Sequence, residues 1–160
     1  VTAGIPPRVL YLACAALVFV ADQAAKQWAV AELGARGTVA VAPFLNWTLV
    51  YNPGAAFGFL SDAGGWQTAL FASVAVAVSA LVVFLLWTMQ PGRPARAAGL
   101  CLILGGAAGN LSDRIFIGAV VDFVDLHYRG FHWPAFNIAD AAISCGVFLL
   151  VFTMLQERVK

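Results

Sequence analysis

"ALFASVAVAVSALVVFLLWTM", residues 69–89, runs for 21 residues without a charge. A helix needs about 20 mostly apolar residues to cross the hydrocarbon core of a bilayer, so this stretch predicts a membrane-spanning helix. The rest of the chain agrees. Of its 160 residues 62% are hydrophobic and only 11% charged, against roughly 25% charged in soluble domains. Too few polar side chains remain to cover a water-facing surface, and lipid is the natural solvent. The net charge of +1 excludes a strongly basic nucleic-acid binder, and no nucleic-acid partner is expected.

Three further stretches carry the same signal. Val9–Ala21 is apolar, and its pattern resumes past Asp22 and Lys26 to about Val30. Ala97–Ser112 is glycine-rich and can continue past Asp113 and Arg114 to about Gly118. Ile138–Leu155 holds Asp140 in its first turn. The expectation is one integral-membrane domain over 1–160, with spans at about 9–30, 68–89, 97–118 and 138–156. Arg8 ahead of a short apolar core also fits a cleaved signal peptide, but the pattern runs on through "DQAAKQWAV" without a small-residue cleavage site.

Four spans put both termini on one side. Arg8, Arg93, Arg96, Arg158 and Lys160 fall at the termini or between spans two and three, and the positive-inside rule makes that side cytoplasmic. Of eight acidic residues only Glu157 lies there, so any chemistry is expected to face outward.

Two segments remain for the outer face. In 31–65, Leu45, Trp47, Leu49 and Tyr51 alternate with Asn46, Thr48, Val50 and Asn52, a period of two that predicts a strand with one apolar face. The other, 119–136, reads as a loop. Trp47, Tyr51, Trp66 and Trp133 suit an aromatic belt at the interface. Cys14, Cys101 and Cys145 lie in apolar runs without metal-ligand spacing and read as inert core thiols. His127 and His132 read as solvated loop residues, and with no HExxH or CxxC neither metal nor cofactor is expected.

Ionisable groups inside a span cost roughly 2.5–3.5 kcal/mol each, so each needs a partner or a purpose. Asp22 and Lys26 share a helix face four residues apart and read as a neutralising pair. In "GNLSDR", Asn110, Asp113 and Arg114 point to roughly one side, while Gly105 and Gly109 at GxxxG spacing permit close helix contact. That cluster is either structural glue or the support of a site. "YNPGAAFG" reads as a turn, or as a turn that offers the Asn52 amide near the surface.

Asn137 is a suitable N-cap for the fourth helix, with Asp140 at N3. Asp125 either pairs with Arg129 or stays solvated. Asp122 and Asp140 are then the acids with no base to pair with. Two carboxyls held together share a proton, so that one activates a water while the other polarises a carbonyl, which is aspartic peptidase chemistry. The rival readings are a proton-coupled transporter and a packing subunit, since acids buried in a helical membrane protein also build proton paths.

"DQAAK" (22–26), "NPGAAF" (52–57), "GNLSDR" (109–114), "VVDF" (120–123) and "FNIADAAI" (136–143) occur in the order found in bacterial lipoprotein signal peptidases, or signal peptidase II. The chain resembles that family from about residue 9 to its end. The resemblance implies a membrane α-helical fold of four transmembrane helices with a small extracytoplasmic β-structured cradle and loop. It implies an aspartic endopeptidase of the inner membrane, cutting the signal peptide from diacylglyceryl-modified prolipoproteins just before the lipobox cysteine. The catalytic pair maps onto Asp122 and Asp140. Asp22, Asn52, Asn110, Arg114 and Asn137 map onto positions that support the site or contact substrate, and Lys26, Gly54 and Asp113 in the same motifs are grouped with them. Inhibition by globomycin-type cyclic peptides follows from the same resemblance. The expected partners are the prolipoprotein substrate and membrane lipid, and the expected state is a monomer.

Overall fold

The computed structural model describes residues 7–54, 64–90 and 92–158. Four helices form a bundle: α1 (Pro7–Arg36), α2 (Trp66–Thr88), α3 (Pro94–Phe116) and α4 (Ile138–Arg158). At one end sits an antiparallel sheet in chain order, β1 (Val39–Ala42), β2 (Leu45–Asn52), β3 (Val120–Tyr128) and β4 (Phe131–His132). Asp62, residues 55–57 of the "NPGAAF" motif, Gly58, Lys160 and the side chain of Arg158, all used in the sequence reading, lie outside the described residues.

α1, α2 and α4 are each long and apolar enough to cross a membrane. α3 does not meet that measure because it carries Asn110, Asp113 and Arg114, yet it is the central helix, packed on α4, α1 and α2 in turn. Its polar side chains face protein, not lipid, which is where a spanning helix tolerates them. Conversely α2 keeps only Gln67, Val82 and Leu86 buried and presents the rest of its apolar surface outward.

Close approach to α3 depends on residues without side chains. A Cβ on Gly105 would come within 2.5 Å of the Ala15 carbonyl oxygen and 2.6 Å of Val18 Cβ on α1. One on Gly109 would meet the carboxylate of Asp22. The GxxxG seam therefore makes the close helix contact that its spacing permits, and makes it with α1. The opposite face packs on α4, where Gly99 and Gly146 lie against each other's carbonyls, a contact with no such spacing to announce it.

β3 occupies the segment read as a loop. Its first four residues, Val120–Phe123, are buried on both faces, so the alternation that marks a half-exposed strand is missing. A two-residue turn at Arg129 and Gly130, with φ of 49° and 83°, returns the chain to β4. Positive φ at both central positions matches the twist of the flanking strands, and glycine adopts it without strain. β2 forms as its alternation predicts, but its apolar face stops early. Trp47 pairs with Val124 and Val50 with Asp122, three residues against two, so β2 bulges between them. Beyond the bulge Tyr51 leaves the Trp47 face and is exposed. Val50 and Asn52 move onto the face of Asp122, since directly paired residues share a face.

The sheet is seated on the end of α1. Ala29, Leu33 and Phe123 form a buried cluster closed by Trp47 and Leu49. Trp28 meets Trp47 edge-on at 5.9 Å. Trp47 is thus a packing residue and not part of a belt; Tyr51, Trp66 and Trp133 are the exposed ones. At the other end of the bundle the Arg8 guanidinium lies 4.7 Å from the Trp87 ring centroid and Arg93 pairs with Glu157 at 2.9 Å.

Gly105→Leu forces side-chain atoms into the α1 backbone, which has no means of yielding locally. The expected cost is about 1–3 kcal/mol, read as a lower unfolding temperature in detergent, and an unchanged midpoint counts against this packing.

Candidate active site

Lys26, only 3% exposed, holds the polar centre of the bundle together. Its ammonium lies 2.8 Å from Asp22 Oδ2, one turn back on α1, and 2.8 Å from Asp113 Oδ2 on α3. It donates a third bond to Asn110 Oδ1 at 2.9 Å. An ammonium has three N–H donors, and all three are used. The pair expected from sequence is therefore a triad. Both carboxylates also accept backbone bonds: Asp22 Oδ1 accepts the Ala139 N–H at 2.8 Å, and Asp113 Oδ2, the oxygen that meets Lys26, accepts the Val121 N–H at 3.1 Å. These bonds tie α1 to the start of α4 and α3 to the start of β3. Gln23 adds a bond to Asp113 Oδ1 at 3.0 Å. The sequence reading passed over Gln23, although it stands inside "DQAAK".

Asn137, fully buried, caps α4. Its Oδ1 accepts the Asp140 N–H at 2.9 Å, and the Asp140 carboxylate accepts the Asn137 N–H at 3.3 Å, a reciprocal capping box. The Asn137 amide does more than cap. Its Nδ2 donates to Asp122 Oδ1 at 2.7 Å and reaches Asn110 Oδ1 at 3.2 Å. Asn52, brought to this face by the β2 bulge, donates to Asp122 Oδ2 at 3.1 Å. Its Oδ1 accepts the Gly54 N–H at 3.0 Å, an Asx turn across Pro53. Asn110 Nδ2 donates to Asp140 Oδ1 at 2.7 Å. Arg114 closes the group, its Nη2 bonding the Gly54 carbonyl at 3.2 Å and its Nη1 the Asn110 carbonyl at 3.3 Å.

All ten residues singled out in the sequence thus lie in one connected cluster. Asp122 and Asp140 differ from the other two acids in it. Each accepts N–H donors, but among the described residues neither forms an ion pair. Both line a cavity of about 430 Å³. Asn52, Asn110 and Arg114 line it too, and its walls are apolar: Leu126, Trp133, Pro134, Phe136 and Ala141. The segment after Asp122, which the sequence offered as a cover for the site, reaches the cavity once the hairpin has folded back. Burial, and then the neighbouring Asp140 carboxylate, push the Asp122 carboxyl up to about 7, against the hydrogen bonds from Asn52 and Asn137.

Other expectations change. Only Cys101 is a core thiol, its Sγ 3.2 Å from the Tyr11 carbonyl oxygen; Cys14 and Cys145 are exposed on helix faces, and Cys145 lines the cavity. His127 and His132 are strand residues stacked at 5.0 Å. Asp125 pairs with neither Arg129 nor water alone: Asn46 Nδ2 donates to it at 2.9 Å and His132 Nδ1 lies 2.8 Å away. Burial would raise Asp125, but the bonds from Asn46 and His132 outweigh it and hold the carboxyl below its ordinary range. Arg129 lies instead over Tyr128.

A four-helix membrane protein in which one buried and one half-buried carboxylate, neither in an ion pair among the described residues, line one cavity defines the class. Residues 14–156 match the signal peptidase (SPase) II family. The chain is 51% identical over 141 residues to a lipoprotein signal peptidase of Cellvibrio japonicus, covering 88% of this chain and 82% of the relative. It is 50% identical over 154 residues to one of Acinetobacter baumannii, covering 96% and 88%. Two solved bacterial membrane enzymes superpose with TM-scores of 0.81 and 0.78 at 30% identity, covering 93% and 91% of this chain and 89% and 92% of theirs. The chain belongs to the signal peptidase II family, and is a peptidase of the bacterial inner membrane.

A carboxyl raised from its ordinary 3.8 to about 7 keeps its proton in the folded protein where the unfolded chain has released it. The folded state then binds more protons across that window, and stability falls as pH rises through it. The unfolding temperature of the wild type should fall between those pH values more steeply than that of Asp122→Asn. Parallel slopes would show that Asp122 does not titrate there.

Proposed function

We propose that the protein is an aspartic endopeptidase that releases the signal peptide of diacylglyceryl-modified prolipoproteins by cutting just before the lipobox cysteine. The observation that carries this reading is the pair Asp122, buried, and Asp140, half-buried, which line one apolar-walled cavity and among the described residues form no ion pair. Family membership and the lipoprotein signal peptidases similar to the chain support the substrate class.

The chemistry balances with a water and no other reactant. The charged aspartate takes a proton from the water, whose oxygen adds to the scissile carbonyl carbon, while the protonated aspartate gives its proton to the carbonyl oxygen. The first aspartate then protonates the amide nitrogen, the C–N bond breaks, and a hydroxyl proton returns to the second. The products are a signal peptide ending in a carboxylic acid and a lipoprotein beginning with a cysteine amine. Asn52, Asn110 and Arg114, on the cavity rim, orient the peptide backbone; Asn137 sets the separation of the two carboxyls; Asp22, Lys26, Asp113 and Gly54 support them.

The sheet end faces outward in this reading. Arg8, Arg93 and Arg96 gather at the opposite end, which the positive-inside rule makes cytoplasmic along with both termini. The acids collect near the sheet end and not at successive depths, which speaks against a proton relay. The protein works as a single-domain monomer in lipid, substrate enters sideways from the membrane, and globomycin-type cyclic peptides block the cavity.

Purified wild type should cleave a diacylglyceryl-modified prolipoprotein, and Asp122→Asn and Asp140→Asn should each lower kcat by a factor of about 10³ or more while remaining folded. Cleavage retained by either variant removes that aspartate from the dyad.

A further inference from the structure

Lys26 does not touch the cavity. Its three donors go to Asp22, Asp113 and Asn110, so it has none left for substrate or for either proposed catalytic aspartate. It nevertheless decides how Asn110 faces them. An ammonium only donates, so the Asn110 atom that meets it at 2.9 Å is the oxygen. The other end of the amide is then the NH₂ group, which points at Asp140 Oδ1, 2.7 Å away. With Lys26 in place Asn110 cannot turn over without setting two donors against each other. The second Asp140 oxygen receives the Asn137 backbone N–H at the start of α4. There the unpaired N–H groups of the first turn favour negative charge.

Asp122 is held differently. It lies on β3, and its two side-chain donors are the neutral amides of Asn52 and of Asn137, the N-cap residue of α4. The other charged or titratable groups around the pair are Asp22 and Lys26 on α1, Asp113 and Arg114 on α3, and Cys145 on α4; β2 contributes only Asn52.

We propose that Lys26, acting through Asn110, is a positioning residue that holds Asp140 as the charged member of the dyad and leaves the shared proton on Asp122. This rests on the aspartic reading above and deepens it: Asp140 activates the water and Asp122 protonates the carbonyl. Burial and the neighbouring Asp140 carboxylate raise Asp122 to about 7, so that it holds its proton below neutral pH.

The test uses the full chain in lipid nanodiscs at pH 6 to 7 and two affinity reagents with opposite requirements. An epoxide is opened by an ionised carboxylate, giving a hydroxy-ester. A diazoacetyl compound first takes a proton from a neutral carboxyl and then esterifies it with loss of N₂. Peptide mapping by mass spectrometry should find the epoxide on Asp140 and the diazoacetyl group on Asp122. The reverse pattern overturns the assignment, and this needs no variant.

The role of Lys26 is read in Lys26→Met combined with Asp113→Asn, which removes the cation together with one carboxylate it neutralises. The expected kcat loss is roughly tenfold or more, part of what a positioned acid–base group supplies, with KM held within about twofold. The acid limb of the kcat–pH profile should move to higher pH, and the epoxide should spread over both aspartates. Wild-type labelling and an unshifted profile in this variant overturn the role of Lys26. If neither reagent labels Asp122 or Asp140, and Asp122→Asn and Asp140→Asn still cleave, the dyad itself fails and not merely its proton assignment.

Discussion

One ammonium group, that of Lys26, organises the polar interior of this membrane protein. In an apolar bundle an isolated charge is expensive, and a lysine with three donors needs three acceptors. Asp22, Asp113 and Asn110 supply them from two helices. The two carboxylates also accept backbone N–H groups at the start of β3 and of α4. The bundle, the sheet and the cap of α4 are thereby joined at one point. Breaking such a buried network leaves charges without partners, which costs more than its formation gains.

Reaching that point requires helices in near contact. α3 carries the polar residues, so it occupies the centre, and its small residues let α1 and α4 close around it. Gly109 illustrates the coupling between packing and electrostatics. A side chain there would occupy the place of the Asp22 carboxylate, and the ion network would lose one of its two acids. The outward faces of α1, α2 and α4 can then be largely apolar, as lipid demands.

The sheet completes the cavity. The bulge in β2 is a one-residue irregularity, yet it moves Asn52 to the face of Asp122. β3 brings Asp122 to the start of α4, and the hairpin after it adds Leu126, Trp133 and Pro134 as apolar walls. Two carboxyls outside the ion pairs, a set of amide donors and apolar walls thus meet at one cavity.

Local features were legible in the sequence because their partners lie within a turn or two. The charge-free run 69–89, the Asp22–Lys26 spacing, the GxxxG seam and the Asn137 cap with Asp140 at N3 all depend on neighbours three to four residues apart, or on span length alone. The two aspartates could be nominated by asking which acids lacked a base, and the residues around them by the resemblance of five ordered motifs. What joins them could not: Lys26 meets Asn110 across 84 positions and Asn52 meets Asp122 across 70. β3 hid as a loop because burial on both faces erases alternation, and the bulge left no mark because a register shift is set by the partner strand. Periodicity and charge thus determined the membrane class and nominated the acids. Only tertiary packing decided which of them share a cavity, since that depends on close helix approach and strand register, and neither is a property of a local segment.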